Sequence, residues 1–170
     1  MENNTVNILI GPPANKYGSR KMMSAFFLKE GRHIVCGGTS ASVAAAYLKM
    51  SLYASVEYED KDIPPLTFID GVDLVTEGVI TLSRVLVYAK DYLKDNIYYA
   101  KWKNGRDGAS LICHMLIEEA ADINFFVGMA VNPAHQKLSF PINFNQKMKL
   151  ADELAGCLKK MGKKIEISFF

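Results

Sequence analysis

The chain has 170 residues, of which 49% are hydrophobic and 22% are charged, and its formal net charge at pH 7 is +2. The composition excludes a disordered protein, and the length predicts a single domain over residues 1–170. A charge so close to zero does not favour a nucleic-acid partner. The sequence lacks the roughly 18 consecutive apolar residues of a membrane span and begins without a basic and apolar leader, so we expect a cytoplasmic protein with no membrane partner.

The first half of the chain alternates strand and helix signals. Residues 6–10 and 33–36 are short, apolar and followed by glycine, which predicts two buried strands. Residues 18–30 carry apolar side chains in pairs four apart, which predicts a helix, and residues 40–50 predict a second one. The alternation over residues 55–58 predicts an edge or half-buried strand. Residues 66–69 and 72–75 predict one bent strand or a pair, and the preceding Pro64 and Pro65 exclude a central strand there.

The second half continues the alternation. Residues 81–93 show a clear amphipathic stripe, and a second stripe over residues 112–120 follows Asp107, which we predict to be its N-cap. Residues 95–106 connect these helices. Further predictions are a strand over residues 123–127, a closing helix over 148–161 and a last strand over 165–169. The irregular stretch 128–145 is of a length typical of functional loops or of undetected structure.

This order of elements predicts a Rossmann-like α/β fold, a three-layer sandwich in which a mostly parallel sheet carries helices on both faces. In open parallel sheets, ligands bind in the crevice beyond the carboxyl ends of the strands, where the loops lead into helices. Four segments of the chain fall there. They are residues 11–15, 37–42, 76–78 and 128–135.

The segment over residues 37–42 is the best candidate for an anion site. Gly37 and Gly38 allow close backbone approach, Thr39 and Ser40 offer hydroxyls, and the predicted helix begins with free N–H groups. The ligand would be a nucleotide or a phosphorylated metabolite. The alternative is a tight turn at the two glycines, with Thr39 or Ser40 as the helix cap. The segment has neither the lysine of a Walker loop nor the spacing of a dinucleotide motif.

Three further side chains are candidate ligand contacts at the same edge of the sheet. Glu77 either contacts the ligand or is an acid at the start of a helix, and the sequence favours neither interpretation. Asn132 and His135 lie in the last of the four loops, where the histidine is a ligand contact, an acid or base, or a turn residue without a role. Pro12 and Pro13 lack backbone N–H groups, so we expect the first loop to be a rigid wall.

The sequence points to no metal, no cofactor and no catalytic residue. Cys36 would be nucleophilic at a helix N-terminus, but Ser42 stands where a cysteine phosphatase loop needs an arginine, so we expect a buried structural cysteine. The histidines are too dispersed for a metal site. One alternative is a transferase-like enzyme with Glu77 or His135 as general base.

A second alternative is a dimerisation module. Five aromatic side chains follow one another between the two central predicted helices, where the surface of a homodimer is as plausible as the edge of a core. They are Tyr88, Tyr92, Tyr98, Tyr99 and Trp102.

Five segments spread over nearly the whole chain carry a resemblance to a known family. They are GRHIVCGGT at residues 31–39, IPPLTFIDGVDLVTEGVITL at 63–82, DGAS at 107–110, DINFFVGMAVNPAHQ at 122–136, and the ending at 154–170. Together they resemble the C-terminal region of bacterial serine/threonine phosphatases of the stage II sporulation protein E type.

In that family the catalytic part is a separate, N-terminal type-2C domain whose aspartates bind two divalent metals. The chain has Asp-Gly pairs at Asp70 and Asp107, but it has no Gly-Asp-Asp triplet. Without convergent carboxylates a two-metal site cannot activate water. The resemblance therefore implies an accessory or regulatory sensor domain, which has a phosphatase catalytic domain as its partner and does not catalyse by itself.

Overall fold

The computed structural model describes residues 4–130 and 142–170, with side chains at 4–130 and 146–170. The strands are β1 (Thr5–Ile10), β2 (Arg32–Cys36), β3 (Leu52–Ala54), β4 (Thr67–Ile69), β5 (Leu74–Thr76), β6 (Asp122–Val127) and β7 (Lys164–Phe169). The helices are α1 (Ser19–Leu28), α2 (Gly38–Leu48), α3 (Val79–Tyr92), α4 (Tyr99–Lys103), α5 (Gly108–Cys113) and α6 (Ile142–Lys160). A 3₁₀ turn (Lys16–Gly18) precedes α1, and a π-helical segment (His114–Glu119) continues α5.

These strands form one sheet in the order β3-β4-β5-β2-β1-β6-β7. The pairs β1 with β2, β2 with β5, β1 with β6, and β6 with β7 are parallel, whereas β4 runs antiparallel to both of its neighbours. The middle of the five parallel strands is β1, whose run from Val6 to Ile10 is buried throughout, as a strand covered on both faces requires. The chain builds outwards from β1 first on the β2 side and then on the β6 side.

Helices cover both faces of the sheet. Ile8 belongs to the core that contains residues of α3, α5 and α6, whereas its neighbour Leu9 belongs to the core that contains residues of α1 and α2. Successive residues of a strand point to opposite faces, so β1 contributes to both cores. The fold is therefore the predicted α/β three-layer sandwich with a mostly parallel sheet.

The prediction of a strand over residues 55–58 is wrong. The edge strand is β3, where Tyr53 is the register partner of Phe68 on β4. One further hydrogen bond follows, from Ser55 N to Leu66 O at 2.8 Å, and then the backbone leaves the sheet. Val56 and Tyr58 are 88% and 62% exposed, so the alternation reflects no buried face.

The aromatic residues between the central helices lie at an edge of the core. Trp102 is fully buried and Tyr88 is 2% exposed, and the Trp102 ring makes an edge contact with Tyr99 at 5.0 Å. Tyr92 and Tyr98 are partly exposed. The connection predicted over residues 95–106 contains α4, which carries the tryptophan inward. The core-edge alternative therefore describes Trp102 and Tyr88.

Two later predictions are also resolved. Asp107 is the N-cap of α5, because its carboxylate accepts hydrogen bonds from Ser110 N at 3.1 Å and from Ser110 Oγ at 2.7 Å. The closing helix begins at Ile142 rather than near residue 148, so residues 142–145 of the predicted irregular stretch belong to the helix. Within residues 4–130 and 142–170, no helix combines the length and the apolar character that crossing a bilayer requires.

Candidate functional site

The loops that follow β1, β2 and β5 meet at the carboxyl edge of the sheet. Ile10 of β1 and Thr76 of β5 are both register partners of Cys36 on β2. The residues that follow these strands therefore lie side by side, with Gly37 in the middle. Gly37 N donates to Thr76 O at 2.9 Å, and a Cβ on Gly78 would lie only 3.5 Å from Gly37 Cα. The sheet register, rather than any local motif, brings these loops together.

Residues 37–40, here called the α2 loop, leave the start of α2 uncapped. The N-cap is Gly37, whose φ of 115° favours glycine, and no side chain caps the helix. Ala41 N donates to Gly37 O at 2.9 Å. The N–H groups of Gly38, Thr39 and Ser40 have no acceptor among the described residues. They are three donors at the positive end of the helix dipole.

The hydroxyl of Ser40 lies buried in the same loop. It is fully buried and has no hydrogen-bond partner in the described part of the chain. The side chain points back towards the N-cap, since a Cβ on Gly37 would lie 3.4 Å from Ser40 Oγ. An unpaired buried hydroxyl costs about 1–3 kcal/mol of stability. Neither Thr39 nor Ser40 acts as the helix cap that the alternative interpretation required.

Glu77 caps the neighbouring helix α3. Its Oε2 accepts hydrogen bonds from Thr81 N at 2.9 Å and Thr81 Oγ1 at 3.2 Å, and its Oε1 accepts one from Ile80 N at 3.4 Å. The carboxylate is therefore turned towards α3, where the helix dipole favours a negative charge. Of the two interpretations of Glu77, the structure shows the acid at the start of a helix.

Cys36 is the buried structural cysteine that the sequence predicted. It is 1% exposed at the end of β2, and its Sγ accepts a weak hydrogen bond from Thr76 Oγ1 at 3.6 Å. Burial raises the pKa of the thiol to about 12, against the smaller opposing effect of the Thr76 hydroxyl. The thiol is protonated at neutral pH and is not a nucleophile.

Lys147 is the residue that sequence reasoning missed. It lies in α6, and its side chain reaches over the end of β1, where a Cβ on Gly11 would lie 2.9 Å from Lys147 Cδ. Its Nζ donates to Ala130 O at 3.2 Å, and burial lowers the pKa of the ammonium. No local signal marks this lysine, because its position depends on how α6 packs against the sheet.

The loop after β1 is hydrogen-bonded to the segment that follows β6. Pro12 O accepts a hydrogen bond from Ala130 N at 3.2 Å, and Gly128 N donates to Ile10 O at 2.9 Å. These bonds join the backbone after β1 to the backbone after β6. Asn132 and His135, the other two candidate contacts, lie outside the described residues and stay predictions.

The fold and this edge of the sheet define a class, a doubly wound α/β protein with an uncapped helix start at its strand ends. Comparison of the chain with family models, curated proteins and solved structures gives no match. Among the described residues, no group of three or more His, Cys, Asp or Glu side chains is placed to hold a metal ion. The resemblance to the sporulation-type phosphatases therefore stays a prediction.

Proposed function

We propose that the chain is a sensor domain that binds a small anion, a nucleotide or a phosphorylated metabolite, at the α2 loop. The observation that carries this proposal is the uncapped start of α2 together with the buried, unpaired hydroxyl of Ser40. Three free N–H groups and the helix dipole favour a phosphate or carboxylate at this position. Buried polar groups in proteins normally have partners, so an orphan hydroxyl beside free donors supports a ligand.

The surroundings of the α2 loop leave room for such a ligand. A Cβ on Gly38 would have no neighbouring atom within 4 Å, so the backbone is open there. Thr39 is exposed and adds a hydroxyl at the rim. Glu77 borders the site, and α3 offsets its negative charge. Asn132 and His135 are proposed as further contacts from the neighbouring loop.

The regulatory role rests on the resemblance to the C-terminal region of the sporulation-type phosphatases, which makes a phosphatase catalytic domain the proposed partner. Two properties of the site favour ligand binding over catalysis. The Cys36 thiol is protonated, and Glu77, the candidate base of the transferase alternative, already accepts three hydrogen bonds from α3. A homodimer is not needed for this role.

The test removes one donor from the α2 loop without disturbing the helix. Gly38 is the first residue of α2, where proline is tolerated, and the ψ of 141° at Gly37 suits a residue before proline. Gly38→Pro removes an N–H group, whereas Gly38→Ala keeps it and serves as the matched control. The probes are inorganic phosphate, AMP and a sugar phosphate, measured by calorimetry and thermal unfolding.

We expect at least one probe to bind and stabilise the wild type and Gly38→Ala, and binding to be lost in Gly38→Pro. Absence of binding by the wild type to every probe would overturn the proposal. Equal binding by all three proteins would place the anion elsewhere on the molecule.

A further inference from the structure

Lys147 carries a half-buried positive charge for which the described residues supply no counter-charge. None of the ion pairs in the described part of the chain includes it, and its hydrogen-bond acceptor is the carbonyl of Ala130. The sequence between residues 131 and 141, VNPAHQKLSFP, contains no aspartate or glutamate. A buried charge without a partner is costly, and here burial lowers the pKa of the ammonium. Such a cation is suited to a ligand of opposite charge.

The pairing of β1 with β2 determines where Lys147 lies relative to the α2 loop. Ile10 and Cys36 are register partners on adjacent strands, which lie about 5 Å apart, and Gly11 and Gly37 directly follow these two strand ends. The Lys147 side chain covers Gly11 from the face of the sheet that carries α6. The helix α2 begins from the opposite face. The ammonium group and the three free N–H groups therefore lie at the ends of the adjacent strands β1 and β2, on opposite faces of the sheet.

Glycine at position 11 makes this approach feasible. Its φ is 77°, and a side chain there would collide with the Lys147 ammonium and its neighbouring carbons. An ammonium has three N–H donors, of which the bond to Ala130 O uses one. Two donors remain for a ligand without breaking the contact that holds the side chain in place.

We propose that Lys147 is the cationic residue of the α2-loop site, and that this site binds a phosphoryl group rather than a carboxylate. The inference rests on the proposed function. A phosphoryl group has three terminal oxygens, so it can accept from the N–H groups on one side and from the ammonium on the other, whereas a carboxylate has only two oxygens in one plane. The distant helix α6 thus supplies the lysine that phosphate-binding loops carry within their own sequence.

The test compares Lys147→Met with Lys147→Arg and with a matched control, Lys149→Met. Lys149 lies on the same helix, is exposed and has no ion pair in the described part of the chain. Binding of inorganic phosphate and of acetate is measured by calorimetry at several salt concentrations. We expect Lys147→Met to weaken phosphate binding by at least about tenfold, Lys147→Arg to weaken it less, and Lys149→Met to leave it unchanged.

A second readout follows the proton on Lys147. Because burial lowers the pKa of this ammonium, phosphate binding at alkaline pH should be accompanied by proton uptake, and calorimetry in buffers of different ionisation enthalpy measures it. We expect the uptake in the wild type and its loss in Lys147→Met, whose thermal unfolding shows whether the variant is folded.

Each result has a distinct meaning. If phosphate binds Lys147→Met as tightly as the wild type while Gly38→Pro abolishes binding, the role of Lys147 is overturned and the α2-loop site stands. If acetate binds as tightly as phosphate, the phosphoryl preference is overturned. If the wild type binds neither, the proposed function fails together with this inference.

Discussion

The helices α2 and α3 begin side by side at the carboxyl edge of the sheet. They differ in the charge of the side chain that stands just before the first turn. Both follow strands that are paired in register through Cys36 and Thr76, and both have a glycine as N-cap. Before the N-cap, α3 has Glu77, whose carboxylate accepts hydrogen bonds from the first turn. At the same place α2 has Cys36, a buried and protonated thiol. One helix start has a carboxylate beside it, whereas the other has none bonded to it among the described residues, and this difference supports the anion site proposed there.

The largest expected effect concerns the Cys36 thiol, which stands one residue before the N-cap of α2. Because the folded protein holds the pKa of Cys36 at about 12, above the value in the unfolded chain, the folded state binds more protons in this range. The contribution is therefore complete below about pH 8.5 and falls by about 1.4 kcal/mol per pH unit as the pH rises towards 12. Urea unfolding of the wild type and Cys36→Ala at pH 8 and 10.5 measures it.

We expect the wild type to lose more stability than Cys36→Ala between these two pH values. The other titrating groups contribute equally to both proteins, so the difference isolates Cys36. Equal losses would show that the thiol ionises as readily in the folded state as in the unfolded chain. They would contradict the contrast between a protonated Cys36 before α2 and a charged Glu77 before α3.

The second effect concerns the capped helix. Glu77→Ala should lower the free energy of unfolding by about 1–2 kcal/mol, because the first turn of α3 loses the acceptor of its N–H groups. Glu77→Gln retains an acceptor and should cost less. Denaturant unfolding measures both, with Glu57→Ala at an exposed position as the control. A loss no larger than that of the control would contradict the capping role.

The smallest effect has the opposite sign and belongs to the uncapped helix. Ser40→Ala removes a buried hydroxyl that has no partner in the described part of the chain, so it should raise the stability of the free protein by about 1 kcal/mol. The same variant should bind phosphate more weakly. Ser42→Ala is the control, since its exposed hydroxyl donates to Gly38 O at 3.1 Å. Destabilisation by Ser40→Ala would mean that the hydroxyl already has a partner.

Most of the elements could be predicted because their signals are local. Apolar runs ended by glycine identified β1 and β2, the 3.6-residue stripe identified α3, and Asp107 marked the start of α5. Residues 55–58 misled because alternation predicts a strand only when one face is buried, and Val56 and Tyr58 are exposed. The aromatic cluster could not be assigned either, since only packing decides that Trp102 faces inward.

For the candidate site, the sequence by itself determined that a glycine-rich loop with two hydroxyl side chains follows a buried strand and opens a helix. Only the tertiary structure decided which other residues stand beside that loop. The sheet register places Gly11 and Gly78 next to Gly37, and the packing of α6 brings Lys147 over β1. Hydrophobic periodicity shows whether a segment is a helix or a strand and which of its residues share a face. Contacts between distant segments depend instead on strand order and helix packing.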